Sequence, residues 1–231
     1  EYDLQAELEY VFRRNQAQPA YESIVGTGAN ACVLHYRANR ARIGADDLVL
    51  IDAGAEYRGY ASDITRTFPV NGRFSAEQRA LHELVLAAQA AAMEQARPGV
   101  PYEAGHLAAV GVLTEGLLQL GLLTGTLETN LAERHYQRFY PHKTGHWLGL
   151  DVHDVGDYRV DGQSRLLEPG MVYTIEPGLY VRSDDRSVDA RWRGIGIRIE
   201  DDVLITADGH RVLTEGLARS ADEIEALMAG A

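Results

Sequence analysis

Leu50-Ile51-Asp52-Ala53-Gly54-Ala55-Glu56-Tyr57-Arg58-Gly59-Tyr60-Ala61-Ser62-Asp63-Ile64-Thr65-Arg66-Thr67-Phe68 is the stretch from which the rest of the chain can be read. Two apolar, β-branched runs, Leu48 to Ile51 and Ile64 to Phe68, flank a polar turn that contains glycine. This is the pattern of an antiparallel hairpin with its loop near Tyr57 and Arg58. Asp52 and Asp63 are equidistant from that loop, so a hairpin folded there sets them roughly opposite one another. A carboxylate at the buried end of a strand is unfavourable by several kcal/mol unless something positive meets it. Two side by side repel, and a metal ion is the simplest remedy. Taken alone, the pair also fits a plainer reading, in which Asp52 is a turn residue ahead of Ala53-Gly54 and Asp63 caps a bend or pairs with Arg66.

Outward from the hairpin, Leu4, Leu8, Val11 and Phe12 mark an amphipathic first helix that should lie on a sheet. Ile24-Val25 and Cys32 to Tyr36 read as strands joined by the turn-rich loop Gly26-Thr27-Gly28-Ala29-Asn30, which lacks the Lys-Ser/Thr of a phosphate-binding loop. Ser75 with Gln78 is a capping box opening a helix that carries Leu81, Leu84, Val85 and Ala88, and a second helix carries Leu107, Val110, Leu113, Leu117 and Leu120 as far as Gly121. His82 and His106 read as packing or surface residues of these helices. The second half is strand-rich: His142 to Leu150, Met171 to Ile175, Leu179 to Arg182, and Ile195 to Ile205 with a bend at Asp201-Asp202. Asp208-Gly209 signals a hairpin turn with His210 in the loop, and Ser220 caps a last helix from Ala221 to Met228. The order helix, strands, helices, strands, helix reads as α+β with a curved antiparallel sheet.

Composition narrows the function classes. The 231 residues suit one large domain or two small ones, and the net charge of −12 argues against nucleic acid and anionic membranes as partners. No apolar run approaches the ~20 residues of a membrane span. Cys32 is the single cysteine, so no internal disulfide forms, and its apolar surroundings suit a small buried hydrophobe. Lys143 is the only lysine; every other fixed positive charge is an arginine.

The segment His142-Lys143-Thr144-Gly145-His146-Trp147-Leu148-Gly149-Leu150-Asp151-Val152-His153-Asp154 holds three of the eight histidines. On extended backbone His142 and His146 share a face. Glu176 follows an apolar run and precedes Pro177-Gly178, and Glu200 closes Gly194-Ile195-Gly196-Ile197-Arg198-Ile199, where Arg198 and Glu200 share a strand face. Arg198 fits either a same-strand ion pair or a group that orients a metal-bridging carboxylate.

Asp52, Asp63, His146, Glu176 and Glu200, in that order and in those local sequences, resemble the five ligands of the dinuclear metallopeptidases of the pita-bread fold. The wording around them is most similar to the aminopeptidase P subfamily, and the resemblance runs from about Glu1 to Met228. It implies an α+β pita-bread domain over residues 1–231, with pseudo-twofold halves and a curved antiparallel sheet covered by helices. By the same resemblance, the family's N-terminal non-catalytic domain is expected to be absent from this chain. The resemblance further implies a cytoplasmic hydrolase with two divalent metal ions. Mn²⁺ is favoured by the oxygen-rich ligand set, and Co²⁺ or Zn²⁺ can substitute. Its substrates are peptides with proline at position 2, with no nucleic-acid or membrane partner, and a homo-oligomer is expected where the N-terminal domain is present.

By the same resemblance Glu176 is general base and then general acid, His153 and His35 are substrate-side histidines, and His142 walls the proline pocket. Tyr180 is a hydrogen-bond donor near the metals and Arg198 an orienter behind the ligands. Lys143 stands where the family pattern leads one to expect a small or neutral residue. A prolidase restricted to Xaa-Pro dipeptides shares the ligands and is the near alternative. A non-peptidase of the same fold is the alternative from another class, though such proteins lose ligands.

Overall fold

The computed structural model describes residues 1–230. In chain order its elements are α1 (Tyr2–Arg14), β1 (Gln18–Pro19), β2 (Ile24–Thr27), β3 (Leu48–Asp52), β4 (Ala55–Glu56), β5 (Thr65–Pro69), α2 (Ala76–Met93), α3 (Glu103–Gln119), α4 (Leu127–Ala132), β6 (Arg159–Val160), β7 (Gln163–Ser164), β8 (Val172–Ile175), β9 (Gly178–Val181), β10 (Ile195–Arg198), β11 (Asp201–Ile205), β12 (His210–Val212) and α5 (Ala221–Ala229). Every strand pairing is antiparallel. β2-β3-β5 forms a sheet in the first half and β12-β11-β8 one in the second, with the β9–β10 pair beside them. A single bridge, Thr65 to Glu200, joins the two halves at the point where both carry polar side chains.

The expected hairpin is present. Tyr57 N–H donates to the Tyr60 carbonyl at 2.9 Å, and Arg58 and Gly59 both have positive φ, +53° and +85°, the backbone of a tight hairpin turn. Its turn is centred on Arg58-Gly59, one residue later than Tyr57-Arg58, so Asp52 faces Thr65 and not Asp63. Gly54, which this register sets opposite Asp63, approaches the Ser62 carbonyl so closely that a Cβ would overlap it.

Behind the sheets lies one apolar core. Leu81, Val85, Ala88 and Ala92 of α2 and Val110, Leu113 and Leu117 of α3 are buried at helical spacing against Ile175, Leu179, Ile197, Ile199, Val203 and Ile205 of the strands. Each fully buried side chain of this size contributes about 1.5–3 kcal/mol relative to exposure. The capping box predicted at Ser75 is formed, the cap predicted at Ser220 proves to be a capping box with Glu223, and Gly121 follows α3 at φ +72°. His82 packs in this core beside Phe74, its ring nitrogens without a protein partner, and burial pulls its pKa down to about 4. Among the described residues no helix is long and apolar enough to cross a membrane.

Five expectations are corrected. No residue of α1 is buried; Leu4, Leu8 and Phe12 are half-covered, while Val11, at the edge of their face, is 52% exposed. Cys32 to Tyr36 is not a strand but the end of a 3₁₀ turn, Gly28–Cys32, and the loop after it. The buried Glu1 carboxylate accepts from Thr27 N, Asn30 Nδ2, Tyr36 OH and Ala41 N, and these side-chain bonds replace a ladder. The 142–150 segment runs alongside β8 without forming a regular strand. Thr174 N–H donates to the His146 carbonyl and Leu148 N–H to the Val172 carbonyl, but His146 N–H is taken by Thr174 Oγ1. The long 195–205 strand breaks at Ile199-Glu200, ahead of the bend expected at Asp201-Asp202, and His210 opens β12 instead of lying in the turn.

Candidate metal centre

Strand ends from both halves deliver the five sequence-predicted ligands to one place. Asp63, His146 and Glu200 each present a ligand atom within 4.8 Å of the others. Asp52 joins them through Tyr21, whose hydroxyl is 2.6 Å from Asp52 Oδ1 and 2.5 Å from Asp63 Oδ1. Glu176 joins through His146: Oε1 is 3.7 Å from His146 Nε2, which lies 3.3 Å from Asp63 Oδ2. All five line a cavity of about 790 Å³, the size of a small-ligand site.

Electrostatics show what the cluster lacks. Four carboxylates face only Arg198 and His146 as internal cations. Burial, with mutual repulsion from Asp63, Glu176 and Asp52, drives Glu200 well above the ordinary carboxylate range. Burial lifts Glu176 to about 7 against the pull of His146 and Arg198, and burial also raises Asp52 although Arg198 Nη2 lies 2.5 Å from its Oδ2. Burial disfavours the imidazolium of His146, yet its hydrogen bond to Asp63 and the charge of Glu176 raise it to about 9. Carboxylates crowded in this way are relieved by divalent cations, and four carboxylates with one imidazole form a hard donor set. The residues present therefore fit a metal.

Around this set, Arg198 does not pair with Glu200 along its strand. It reaches Asp52 with Nη2, donates from Nε to Thr65 Oγ1 at 3.1 Å and from Nη1 to the Tyr180 hydroxyl at 3.0 Å. Thr65 Oγ1–H in turn donates to Glu200 Oε2 at 2.5 Å. Arg66 likewise pairs with Asp201, not with Asp63. Tyr180 OH lies 2.9 Å from His142 Nε2, and His142 Nδ1 lies 2.7 Å from the Lys143 carbonyl. Because a carbonyl only accepts, Nδ1 carries the proton and Nε2 accepts from Tyr180. Burial and the charge of Arg198 hold His142 near 3, a neutral imidazole. His153 sets its ring edge-on to His146 at 4.3 Å, and His35 lies exposed on the loop after the 3₁₀ turn; both line the cavity. Burial and His146 lower the pKa of His153.

Sequence reasoning missed four groups. Tyr21 lies in an aperiodic connection, so nothing in its spacing marks it. Thr65 and Asp202 are within two residues of predicted ligands. Asp202 Oδ2 accepts Asp63 N–H at 3.1 Å and Oδ1 has no protein partner; strand alternation from Glu200 would have found it. His106 belongs to the same helical stripe as Val110, Leu113 and Leu117 and lines the cavity, with Nδ1 2.8 Å from Thr144 Oγ1.

Known proteins share this sequence pattern and fold. Residues 1–207 match Metallopeptidase family M24. The Xaa-Pro aminopeptidase of Escherichia coli strain K12 is 48% identical over 232 residues, covering 100% of this chain and 52% of the relative. The structure of Pseudomonas aeruginosa aminopeptidase PepP superposes with a TM-score of 0.98 at 57% identity, covering 99% of this chain and 52% of that one. Zn-substituted E. coli aminopeptidase P in complex with product superposes at 0.96 with 48% identity, covering 100% and 52% respectively. The chain thus spans about half the length of the relatives it matches. With the five ligand-type side chains gathered between two antiparallel halves of a pita-bread α+β fold, the chain belongs to metallopeptidase family M24.

Proposed function

We propose that this chain forms the catalytic unit of a metal-dependent aminopeptidase that removes the N-terminal residue of a peptide whose second residue is proline. The observation that carries the reading is the convergence of Asp52, Asp63, His146, Glu176 and Glu200 in one cavity with His35, His142 and His153 on its walls. The relatives bearing the names Xaa-Pro aminopeptidase and aminopeptidase P support the substrate class.

The five ligand-type residues would hold two divalent ions, Mn²⁺ on donor hardness, with Co²⁺ or Zn²⁺ as substitutes. When bound, such ions lower the pKa of water and polarise a carbonyl oxygen. Glu176, whose carboxyl burial lifts to about 7, takes the proton of the attacking water and returns it to the departing nitrogen. A general acid is required there because the bond before proline is a tertiary amide and its nitrogen leaves as an amine. His153 donates to the substrate carbonyl oxygen as charge develops on it, and His35 closes the same side. His142, kept neutral and fixed by Tyr180 and the Lys143 carbonyl, offers proline a wall without a charge. Tyr180 acts on substrate through His142, and Arg198 holds Asp52, Thr65 and Tyr180 in register.

The test is release of the free N-terminal residue from an Xaa-Pro-peptide and from an Xaa-Pro dipeptide by Mn²⁺-loaded protein. Metal-dependent cleavage of the longer peptide is expected. Failure to cleave either, with metal bound, contradicts the reading.

A further inference from the structure

The cavity mouth carries three cationic side chains besides Arg198: Arg37, Lys143 and Arg159. Two of them already face carboxylates. Arg37 Nε lies 3.6 Å from Glu22 Oε2, and Arg159 Nη1 lies 3.4 Å from Glu103 Oε2. Lys143 has no carboxylate within 4.0 Å among the described residues, and it is the only lysine of the chain.

The base of its side chain is rigid. The Lys143 carbonyl accepts His142 Nδ1–H at 2.7 Å, and the next residue is fixed three times over. Thr144 O accepts Glu176 N–H at 2.8 Å, while its Oγ1 meets Tyr140 OH at 2.6 Å and His106 Nδ1 at 2.8 Å. From this floor the exposed stem leaves beside His142, the wall given above to proline, and toward His106, which burial and then the Lys143 charge hold down at about 4. The chain as a whole is strongly negative, at −12, so its field disfavours anionic peptides. Lys143 sets one unpaired ammonium against that field, one residue beyond the proline wall.

We propose that Lys143 is a specificity-determining residue that selects peptides carrying a carboxylate in the part that follows the proline; this rests on the proline-directed reading above. The carboxylate comes either from the C-terminus of a tripeptide or from an acidic side chain at the third position. An exposed pair of this kind changes kcat/KM by about two- to fivefold and weakens with salt.

Two matched substrate pairs test it on the metal-loaded protein: Ala-Pro-Gly against its C-terminal amide, and Ala-Pro-Glu-amide against Ala-Pro-Gln-amide. The wild type is expected to favour the charged member of at least one pair about two- to fivefold at low salt, with the preference fading at about 0.5 M salt. Lys143→Arg keeps the preference and Lys143→Met loses it. Preference confined to the first pair assigns Lys143 to the C-terminal carboxylate; confined to the second, to the side chain. Turnover of the neutral members, with identical charged-to-neutral ratios in wild type and Lys143→Met, overturns the proposal and leaves the proline-directed reading standing. Turnover of no member overturns both.

Discussion

Glu176→Gln is expected to lower kcat on an Xaa-Pro-peptide by about 10²- to 10⁴-fold, the range lost when a positioned acid–base group is removed. The replacement keeps the shape of the side chain at the end of β8, where Glu176 N–H is held by the Thr144 carbonyl at 2.8 Å. It removes the ability to accept and return a proton. With no metal bound, burial raises the carboxyl to about 7 against the pull of His146 and Arg198, and the amide has no acid–base equivalent. The fold should survive, because a neutral group here relieves repulsion with Asp63 and Asp52. Single-turnover kinetics with thermal unfolding in parallel checks this. A variant with kcat within tenfold of wild type removes Glu176 from the proton-transfer role.

The largest stability effect is expected at Arg66→Leu, a loss of about 3–5 kcal/mol, as when one partner of a buried charge pair is deleted. Arg66 Nη2 meets Asp201 Oδ1 at 2.7 Å, with both side chains almost wholly out of solvent at 6% and 0% exposure. The same guanidinium donates to the carbonyls of Thr65, Glu200 and Ala218 at 3.0, 2.6 and 2.9 Å. It therefore ties β5 to β11 where the Thr65–Glu200 bridge joins the two halves. Removing it strands the Asp201 charge with only Gln89, Thr214 and a more distant Arg219, and takes a donor from the buried Glu200 carbonyl and the half-buried Ala218 carbonyl, while the Thr65 carbonyl keeps the Glu200 N–H. Adding Asp201→Asn should recover part of the loss, since the orphan charge is then gone. Denaturant unfolding of the single and double variants measures both; a single-variant loss below about 1 kcal/mol contradicts the account.

How far the site was legible follows from where each residue sits. Asp52, His146, Glu176 and Glu200 each interrupt or end an apolar run, so their polarity stood out locally, and family-like wording around them supplied the order. The hairpin was legible because its turn chemistry, Arg58-Gly59, agrees with its flanking strands. Its register was not, because a turn centred one residue later, on Arg58-Gly59 instead of Tyr57-Arg58, moves the partner of Asp52 from Asp63 to Thr65. The Cys32–Tyr36 segment misled because its residues suit a strand, but Val33 and Tyr36 N–H donate to the nearby Asn30 and Val33 carbonyls in turns, and the distant Glu1 carboxylate holds the Tyr36 hydroxyl. Tyr21 is the clearest limit. It joins Asp52 and Asp63 from a connection without periodicity, and only the folded chain brings it there. His106 was hidden in plain view, since a histidine on an apolar helical stripe reads as packing until the cavity beside it is seen.

The central claim is that the buried carboxylates and His146 are a metal site, and calorimetric titration of Mn²⁺ into chelator-treated protein tests it most directly. The account predicts two ions bound per chain with a rise in the unfolding temperature, and loss of both effects in the Asp63→Ala/Glu200→Ala double variant. Absence of binding, or binding unchanged in that variant, would contradict it.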